Sequence, residues 1–410
     1  METTENLVEV KDLVLRFYTY EGIVEALDRI NLKIRPGEIL GLVGETGCGK
    51  SVTSLSILGI VMPPGKIEGG SIIFNLDGKK INIVNQKEDF LRTIRGKDVS
   101  MVFQEPRAYL NPVYTVEYQI GEVILLHRQK EFIQKALEQL KKERSKILKD
   151  IKRKKGRKSI LTKLRLKILG LYISMYKKML KNPNALSIRL LSKIPIIRRF
   201  RNPLKREVRK EVINLLKMMQ IADPERVAGM YPHELSGGMA QRVMIAMALA
   251  CKPVLLICDE PTTNLDVTVQ AQILELIQEL RKTYKSSILY ITHDLGVVAQ
   301  ICDRVAVMYA GVVVELADVN ELFKFPLHPY TKGLLESIPK PGKELKSIPG
   351  SVPNLIDPPR GCRFHPRCWC AMEICRKIKP PFVEAKEGHM VSCFLYGEKG
   401  GKINGNIDLC

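Results

Sequence analysis

Long apolar runs are missing from this sequence of 410 residues. No stretch approaches the roughly 20 apolar residues that a helix needs to cross a bilayer, so we expect no membrane span. The first residues, Met1–Glu5, are polar and acidic, unlike the basic and then apolar beginning of a secretory signal. Together these absences favour a chain that stays in the cytosol.

Cysteine pairs with the spacing of a zinc ribbon are missing as well. The chain has 10 cysteines, but no two of them have the Cys-x-x-Cys spacing, and this argues against a zinc ribbon or knuckle. Because disulfides are rare in cytosolic proteins, we do not expect the cysteines to form structural disulfides.

Aromatic residues are scarce where positive charge is densest. Residues 127–210 carry 29 Lys and Arg against 5 Asp and Glu, an excess larger than the net charge of +21 of the whole chain. The remaining residues therefore have no general affinity for nucleic acid. The segment is either a solvated helical insertion or a contact for anionic lipid headgroups. RNA is a third possible partner, but the sparse aromatic residues give weak support for base stacking.

Apolar residues inside this basic segment recur at helical spacing. This pattern predicts an amphipathic helix interrupted only by Gly170. Its apolar positions are Leu161, Leu164, Ile168, Leu171, Met175 and Met179.

The composition is that of a globular protein, with 45% apolar and 27% charged residues. A chain of this length is too long for one simple core, so two or three domains are expected.

The chain does contain a phosphate-loop pattern, in which two glycines with four residues between them precede Lys and Ser. Its residues are Gly44, Glu45, Thr46, Gly47, Cys48, Gly49, Lys50 and Ser51. The apolar run Ile39–Val43 predicts a buried strand before it, and a helix is predicted from Ser51 onward.

This pattern predicts a site for a nucleoside triphosphate. Glycines let backbone N–H groups turn toward phosphate oxygens, and the helix start adds a positive dipole end. Lys50 is expected to reach the β- and γ-phosphates, and the Ser51 hydroxyl to hold Mg²⁺. We include Val52, the next residue of the helix, in the binding set. A glycine-rich turn without a ligand is the alternative.

Phe17 lies upstream of the loop. An aromatic ring there can stack on adenine or simply pack in the core.

Two strands predicted downstream end in residues suited to phosphate chemistry. The apolar run from Val254 ends in Asp259 and Glu260. Asp259 suits Mg²⁺, directly or through water, and Glu260 is placed to polarise a water for attack on the γ-phosphate. His293 follows another apolar strand and can donate to the γ-phosphate, although a lone histidine is more often structural.

Gln104 ends a predicted strand at Val99–Phe103. Ligands of such sheets collect at this edge, so its amide can reach Mg²⁺ or the attacking water. An ordinary surface amide is the alternative.

Leu235-Ser236-Gly237-Gly238-Met239 predicts a second phosphate-binding helix start. Ser236 can cap the helix, which we expect from Gln241 to about Ala250, and the glycines leave N–H groups free. This second start has no lysine of its own.

Taken in order, these motifs resemble the ATPase subunit of an ATP-binding-cassette (ABC) transporter. The resemblance covers about residues 7–126 and 211–395. It implies an α/β P-loop fold with a mixed central sheet, an antiparallel β subdomain and a helical subdomain. In this family two ATPase domains pack head to tail, so that Ser236, Gly237 and Gly238 of one chain would face the γ-phosphate held by the other.

The segments Tyr231–Met239, Glu260–Gln270 and His328–Thr331 resemble the oligopeptide/dipeptide importer branch, which includes nickel and glutathione importers. That branch implies ATP-driven uptake, a second and different ATPase chain, two permease subunits, an extracytoplasmic substrate-binding protein and a peripheral place on the cytoplasmic face of the membrane. Departures from its pattern are Ala240, Asn264 and Arg107-Ala108-Tyr109, and the last of these lies where permeases should dock.

Five cysteines crowd the C-terminal part of the chain: Cys362, Cys368, Cys370, Cys375 and Cys393. In a cytosolic protein such crowding indicates thiolate ligands. The irregular spacing suits an iron–sulfur cluster, with zinc or free thiols as alternatives. In the importer branch this stretch resembles one that can hold a [4Fe–4S] cluster, and by position Cys362, Cys368, Cys375 and Cys393 would be its ligands.

We therefore predict a nucleotide-binding domain from residues 1–126 and 211–325, with a basic helical insertion at 127–210. A Pro-rich linker and a small Cys-rich lobe are predicted at 326–395, followed by a tail at 396–410. A soluble cassette protein acting on ribosomes or RNA is the alternative, but such proteins usually carry two cassettes and this chain has one phosphate loop. The transported solute stays open among peptides, sugars and nickel.

Overall fold

The computed structural model of the chain describes residues 5–153, 160–182, 200–339 and 347–396. The chain divides into two compact units. The first unit comprises residues 1–105 and 252–410, and the second comprises residues 106–251. Most of the predicted basic run at 152–158 lies outside the described residues.

The first unit contains two β-sheets. The strands in chain order are β1 (Val8–Thr19), β2 (Gly22–Ile34), β3 (Ile39–Val43), β4 (Gly65–Leu76), β5 (Lys79–Asn82), β6 (Val99–Val102), β7 (Leu255–Asp259), β8 (Ser287–Thr292), β9 (Arg304–Tyr309), β10 (Val312–Asp318), β11 (Val383–Lys386) and β12 (His389–Val391).

The described helices belong to both units. In chain order they are α1 (Lys50–Ile57), α2 (Glu88–Ile94), α3 (Pro106–Tyr109), α4 (Val116–His127), α5 (Gln129–Arg153), α6 (Ile160–Lys181), α7 (Asn202–Met218), α8 (Pro224–Ala228), α9 (Gly237–Leu249), α10 (Val267–Tyr284), α11 (Leu295–Ile301), α12 (Val319–Lys324), α13 (Pro329–Glu336) and α14 (Glu373–Lys377).

The larger sheet carries the phosphate loop. Its eight strands have the order β11-β12-β10-β9-β3-β8-β7-β6, and the five strands from β9 to β6 are parallel. Strands β3, β7 and β8 are buried at every position, which explains their unbroken apolar sequences. Because they are parallel, their carboxyl ends meet at one edge.

The smaller sheet is antiparallel, with the order β2-β1-β4-β5. Alternating residues of β1 and β2, among them Leu13, Leu15 and Ile30, are buried. They join a core that also contains Leu40 and Leu42 of β3. The mixed sheet and the antiparallel sheet confirm the predicted ABC fold of this unit.

The C-terminal region continues the larger sheet. Strand β12 pairs with β10, with Glu315 opposite Val391, and β11 pairs with β12. Burial of polar groups requires partners, and Glu315, at 0% exposure, accepts from Leu327 N at 2.8 Å and His389 Nε2 at 2.7 Å. The separate small lobe of the fold prediction is therefore corrected, because sheet pairing merges these residues with the first unit.

The second unit is helical. Helix α5 packs on α6 and α7, and α9 packs on α3, α4 and α7. Tyr176 of α6 is fully buried, donates to Phe200 O at 2.8 Å and accepts from Leu204 N at 2.9 Å. Gly170 does not interrupt α6. Among the described residues, we find no helix with the length and apolar content required to cross a bilayer.

Candidate nucleotide-binding site

The phosphate loop joins β3 to α1, as the sequence predicted. Lys50 is buried at the first position of α1. Its Nζ donates to the carbonyl oxygens of Gly44 at 2.7 Å and Glu45 at 3.1 Å. The ammonium group therefore lies within the curve of the loop, where phosphate charge would be neutralised.

Two glycines of the loop have no room for a side chain. A Cβ on Gly44 would lie 2.1 Å from Met308 O. Gly49 has a φ of 102°, and a Cβ there would lie 2.9 Å from Leu27 Cδ2. These contacts explain why glycine occupies both positions.

The other loop residues differ in exposure. Thr46 and Gly47 are exposed, so their backbone is open to a ligand. Cys48 is fully buried, and burial raises the pKa of its thiol, which makes it a packing residue with only its backbone available. Val52 is partly buried and packs against the core of the first unit.

Ser51 and Asp259 are brought together beside the loop. Asp259 ends β7 with 8% exposure, and burial raises the pKa of its carboxyl group, while a hydrogen bond from Ser51 and the charge of Lys50 lower it. A hydroxyl and a carboxylate in contact are the donor set that Mg²⁺ takes beside a phosphate loop. These residues therefore fit the metal.

Glu260 is the centre of a cluster at the ends of β6, β7 and β8. Its Oε2 accepts from Gln104 Nε2 at 3.1 Å, and its Oε1 lies 3.1 Å from His293 Nδ1. Thr263 Oγ1 donates to Oε2 at 3.1 Å. Gln104 and His293, which were predicted separately from the sequence, thus contact the carboxylate of the third predicted residue, Glu260.

Thr263 was missed by the sequence analysis. Its only signal was its place in the Thr-Thr pair that follows Glu260 and Pro261. A tight turn there, in which Thr263 N donates to Glu260 O at 3.3 Å, returns the hydroxyl to the carboxylate. Tyr330 and Arg367 were also missed as neighbours of the phosphate loop, because they lie about three hundred positions further along the chain.

Phe17 lies in β1 opposite Val24 and Gly65. It is partly buried and packs against the core of the first unit. A Cβ on Gly65 would lie 2.7 Å from the Phe17 ring, so the glycine makes room for the ring. The Phe17 ring therefore packs against the core, which is the alternative to adenine stacking that the sequence left open.

The Ser-Gly-Gly motif begins α9 in the second unit. Ser236 is the N-cap residue and its hydroxyl accepts from Met239 N at 3.3 Å. The helix begins at Gly237 and ends at Leu249, four residues earlier than predicted at its start, because the cap supports a first turn that contains both glycines. Ser236 and Gly237 are exposed and Gly238 is half-buried, so their N–H groups form an accessible helix start.

The C-terminal cysteines line one small cavity. Cys362, Cys368, Cys375 and Cys393 contribute to it, as does Cys370, and its volume is about 10 Å³, which is room for about one water molecule. Burial raises the pKa of Cys362 and Cys368 to about 11 and that of Cys393 to about 12. Within the described part of the chain, no group of three or more His, Cys, Asp or Glu side chains is arranged to hold a metal ion.

A phosphate loop between a parallel strand and a helix, beside a buried Asp-Glu strand end, defines a P-loop nucleotide-binding protein. The chain belongs to the ABC transporter family. A sequence model described as ABC transporter matches residues 27–263, and one described as oligopeptide/dipeptide transporter, C-terminal region, matches residues 314–375. The chain is an ATPase coupled to transport, like other ATP-binding proteins of this family.

Relatives are similar over nearly the full chain. The oligopeptide transport ATP-binding protein AppD of Bacillus subtilis is 41% identical over 400 residues, which are 97% of this chain and 98% of that protein. The dipeptide transport ATP-binding protein DppD of the same organism is 39% identical over 399 residues, which are 96% of each chain. The probable peptide ABC transporter ATP-binding protein y4tR of Sinorhizobium fredii is 39% identical over 397 residues, again 96% of each.

Solved structures share the fold. The ATP-binding cassette MJ0796, in a dimeric post-hydrolysis state bound to ADP and Pi, has a TM-score of 0.51 at 22% identity and covers 76% of this chain and 98% of its own. CbiO1 from Clostridium perfringens, part of the transporter complex CbiONQ, has a TM-score of 0.50 at 25% identity and covers 78% of this chain and 92% of its own.

Proposed function

We propose that this chain hydrolyses ATP to energise the uptake of oligopeptides or dipeptides by an ABC importer. The relatives named for oligopeptide and dipeptide transport support the substrate class. The observation that carries the chemistry is the Glu260 carboxylate held between Gln104 and His293, at the same sheet edge as the phosphate loop and Asp259.

The residue roles are also proposals. The loop from Gly44 to Val52, with Lys50 at its centre, binds the phosphates. Ser51, Asp259 and Gln104 hold Mg²⁺, which when bound supplies positive charge that draws electrons from the terminal phosphate. Phe17 is assigned to the adenine ring.

Glu260 is the catalytic base in this proposal. Its Oε2 accepts a hydrogen bond from Gln104, so the amide orients the carboxylate, which takes a proton from the attacking water. His293 is 58% exposed at its side chain, and from this position it donates to the γ-phosphate. Both neighbours thus hold the base at hydrogen-bonding distance, and the Glu260 side chain keeps 13% exposure, through which the water would reach it.

Ser236, Gly237 and Gly238 are proposed to complete the site of a second ATPase chain. The helix start of α9 offers free N–H groups and a positive dipole end but no lysine. MJ0796 is a dimer with ADP and Pi, and an arrangement of this kind gives each site one phosphate loop and one Ser-Gly-Gly start. Closure on ATP would then drive the permease, and hydrolysis would reset it.

The proposed partners follow from the importer class. They are a second and different ATPase subunit, two membrane permeases and an extracytoplasmic substrate-binding protein, with this chain peripheral on the cytoplasmic face. The domain boundaries 1–126 with 211–325, 127–210, 326–395 and 396–410 are also proposed, with residues 326–395 as a family-specific region that belongs to the first unit and is not a separate lobe.

Helix α6 is proposed to contact anionic lipid, within the basic segment 127–210. Leu161, Leu164 and Leu171 of this helix are exposed, and Lys163 and Lys167 on the same helix are exposed as well. An apolar stripe flanked by lysines is typical of helices that lie in the headgroup region. Each nearby Lys or Arg contributes about 1 kcal/mol at an anionic surface.

A [4Fe–4S] cluster on Cys362, Cys368, Cys375 and Cys393 is proposed with a structural or redox-sensing role. All four thiols line one cavity and cluster ligands need only converge, but among the described residues the thiols are not arranged to hold a metal ion as they stand. The volume of about 10 Å³ requires the side chains to move outward on loading. Iron and acid-labile sulfide assays on protein purified without oxygen test this. We expect both in the intact chain and neither in Cys393→Ser, with Cys251→Ser as control; zinc in place of iron would contradict the cluster.

The function is tested on the assembled importer. The tagged chain, extracted from membranes in detergent, should bring two polytopic permeases with it, and the complex in proteoliposomes with the binding protein should hydrolyse ATP faster when di- or oligopeptides are added. Stimulation by nickel salts but not by peptides would contradict the substrate class. Recovery with ribosomes and without permeases would contradict the importer itself.

A further inference from the structure

The side chain of Glu45 links the phosphate loop to the C-terminal region. Arg367 Nη1 donates to Glu45 Oε2 at 2.7 Å, and Nη2 donates to Oε1 at 3.1 Å. The side chain of Arg367 is 7% exposed and that of Glu45 27% exposed. A bidentate contact between a guanidinium and a carboxylate fixes the relative orientation of the two groups as well as the distance between them.

Arg367 is itself held in place. Its Nε donates to Pro349 O at 2.8 Å, Nη2 donates to Ile348 O at 3.3 Å, and Nη1 donates to Tyr309 Oη at 3.4 Å. The guanidinium also lies 5.7 Å from the centre of the Tyr309 ring. Because acceptors surround the group on all sides, it has little freedom to follow Glu45 if the loop moves.

The backbone of Glu45 is held from the same direction. Glu45 N donates to Tyr330 Oη at 3.0 Å, and the Tyr330 ring is fully buried against Tyr309, with ring centres 4.7 Å apart. On the other side, the Glu45 carbonyl accepts from Lys50 Nζ at 3.1 Å. One residue therefore connects the loop lysine to a fixed frame outside the loop.

We propose that Arg367 is a positioning residue for the nucleotide site: through Glu45 it holds the phosphate loop in the curve that accepts the phosphates. The inference rests on the proposed nucleotide site. Its consequence is that part of the ATP affinity of this chain comes from the C-terminal segment between β10 and β11 of the larger sheet. Loss of Arg367 should weaken nucleotide binding, since a loop that must be ordered on binding has lower affinity, and should leave the chemical step unchanged.

The test is nucleotide affinity of the full chain by calorimetry with Mg-ATP and Mg-ADP. We expect Arg367→Met to weaken both by about tenfold, and Arg367→Lys to recover part of the loss because it keeps one charged contact. In the importer complex KM for ATP should rise while kcat at saturating ATP changes by less than about threefold. Glu45→Gln should weaken nucleotide affinity by a similar factor, and the affinity of the double variant should be no lower than that of either single variant.

Arg304→Met is the matched control. Arg304 pairs with Glu38 at 3.3 Å, with side chains 11% and 8% exposed, at the opposite end of β3 from the loop. Its loss should lower stability without changing nucleotide affinity. Equal ATP affinity in Arg367→Met and the unsubstituted chain would overturn the inference, and if Arg367→Met does not fold, Glu45→Gln decides by the same measure. Failure of the unsubstituted chain to bind ATP would instead contradict the proposed function.

Discussion

Glu260 has a φ of 45°, which is unusual for a residue with a side chain and costs about 1–3 kcal/mol. Its N–H donates to Ile291 O at 2.9 Å, and its carboxylate has Gln104, His293 and Thr263 as neighbours. A strained backbone conformation of this kind persists when several surrounding contacts hold the residue in place. At the residue scale, the position of the proposed base is therefore set by four separate contacts.

Glu260→Gln tests the proposed base. The amide has nearly the same shape but cannot take a proton, so we expect ATP hydrolysis by the importer complex to fall by about 100- to 10,000-fold. ATP affinity should change little, because no proposed phosphate contact is removed. Turnover is measured by phosphate release and affinity by calorimetry; Glu275→Gln, on α10, is the control. Turnover that survives the change would contradict the assignment.

His328→Asn tests a pH dependence. Burial lowers the pKa of His328 from 6.5 to about 4, against the opposing charge of Glu315 and with a smaller effect of Lys332. Below pH 6.5 the unfolded chain binds a proton at this histidine and the folded chain does not. The free energy of unfolding therefore decreases by about 1.4 kcal/mol for each unit by which the pH is lowered, until the pH reaches the pKa of the folded chain.

Urea unfolding at pH 7 and pH 5 measures this effect. We expect His328→Asn to lose about 2 kcal/mol less than the unsubstituted chain over that range. Asparagine keeps an acceptor for Tyr330 N, which now bonds to His328 Nδ1. His233→Asn, at an exposed histidine, should leave the dependence as it is. Equal pH dependence in all three proteins would contradict the prediction.

At the scale of elements, α6 has an exposed part and a packed part. Tyr176 and Met179 are buried, whereas Leu161 and Leu164 are exposed at 76% and 54%. The apolar spacing predicted a helix here with a break at Gly170, and the structure has one continuous helix. The spacing did not divide the apolar positions between the packed and the exposed parts. That division is what makes the N-terminal half of the helix a candidate surface for lipid.

Leu161→Ser with Leu164→Ser tests this surface. We expect the full chain to bind vesicles of phosphatidylserine and phosphatidylcholine at least about tenfold more weakly after the change, because buried leucine side chains contribute about 1.5–3 kcal/mol each. Binding to pure phosphatidylcholine should be weak for all variants, and added salt should reduce binding. Leu126→Ser, 73% exposed on α4, is the control. Unchanged sedimentation with anionic vesicles would refute the contact.

At the scale of the whole molecule, the two phosphate-binding helix starts belong to different compact units. One has Lys50 and the Ser51–Asp259 pair, and the other has only its capped N–H groups. In the proposed function, the terminal phosphate is contacted by one start of each kind, from two ATPase chains. The protein is therefore expected to hydrolyse ATP poorly as a single copy.

ATP-dependent pairing tests this expectation. The Glu260→Gln chain is used because it should bind ATP without consuming it. Its mass, measured by light scattering, should double when ATP is added, either in a mixture with its ATPase partner or alone if two copies pair. Ser236→Arg, which puts bulk and charge on the α9 start, should abolish the doubling. Thr115→Ala removes the comparable cap of α4, where Thr115 accepts from Tyr118 N, and should not. Pairing that persists in Ser236→Arg would contradict the shared site.

Local sequence patterns were sufficient to predict β3, the phosphate loop, β7 and α6. Apolar runs, glycine spacing and helical periodicity each depend only on residues that are close together in the sequence. They were also sufficient to recognise the family. The grouping of Gln104, Glu260 and His293 followed from the rule that parallel strands end at one edge, but the contact of Thr263 required the turn itself. Folding alone joined β12 to β10 and carried Arg367 to Glu45, because pairings between distant segments depend on sheet order and shared burial, which no local pattern encodes.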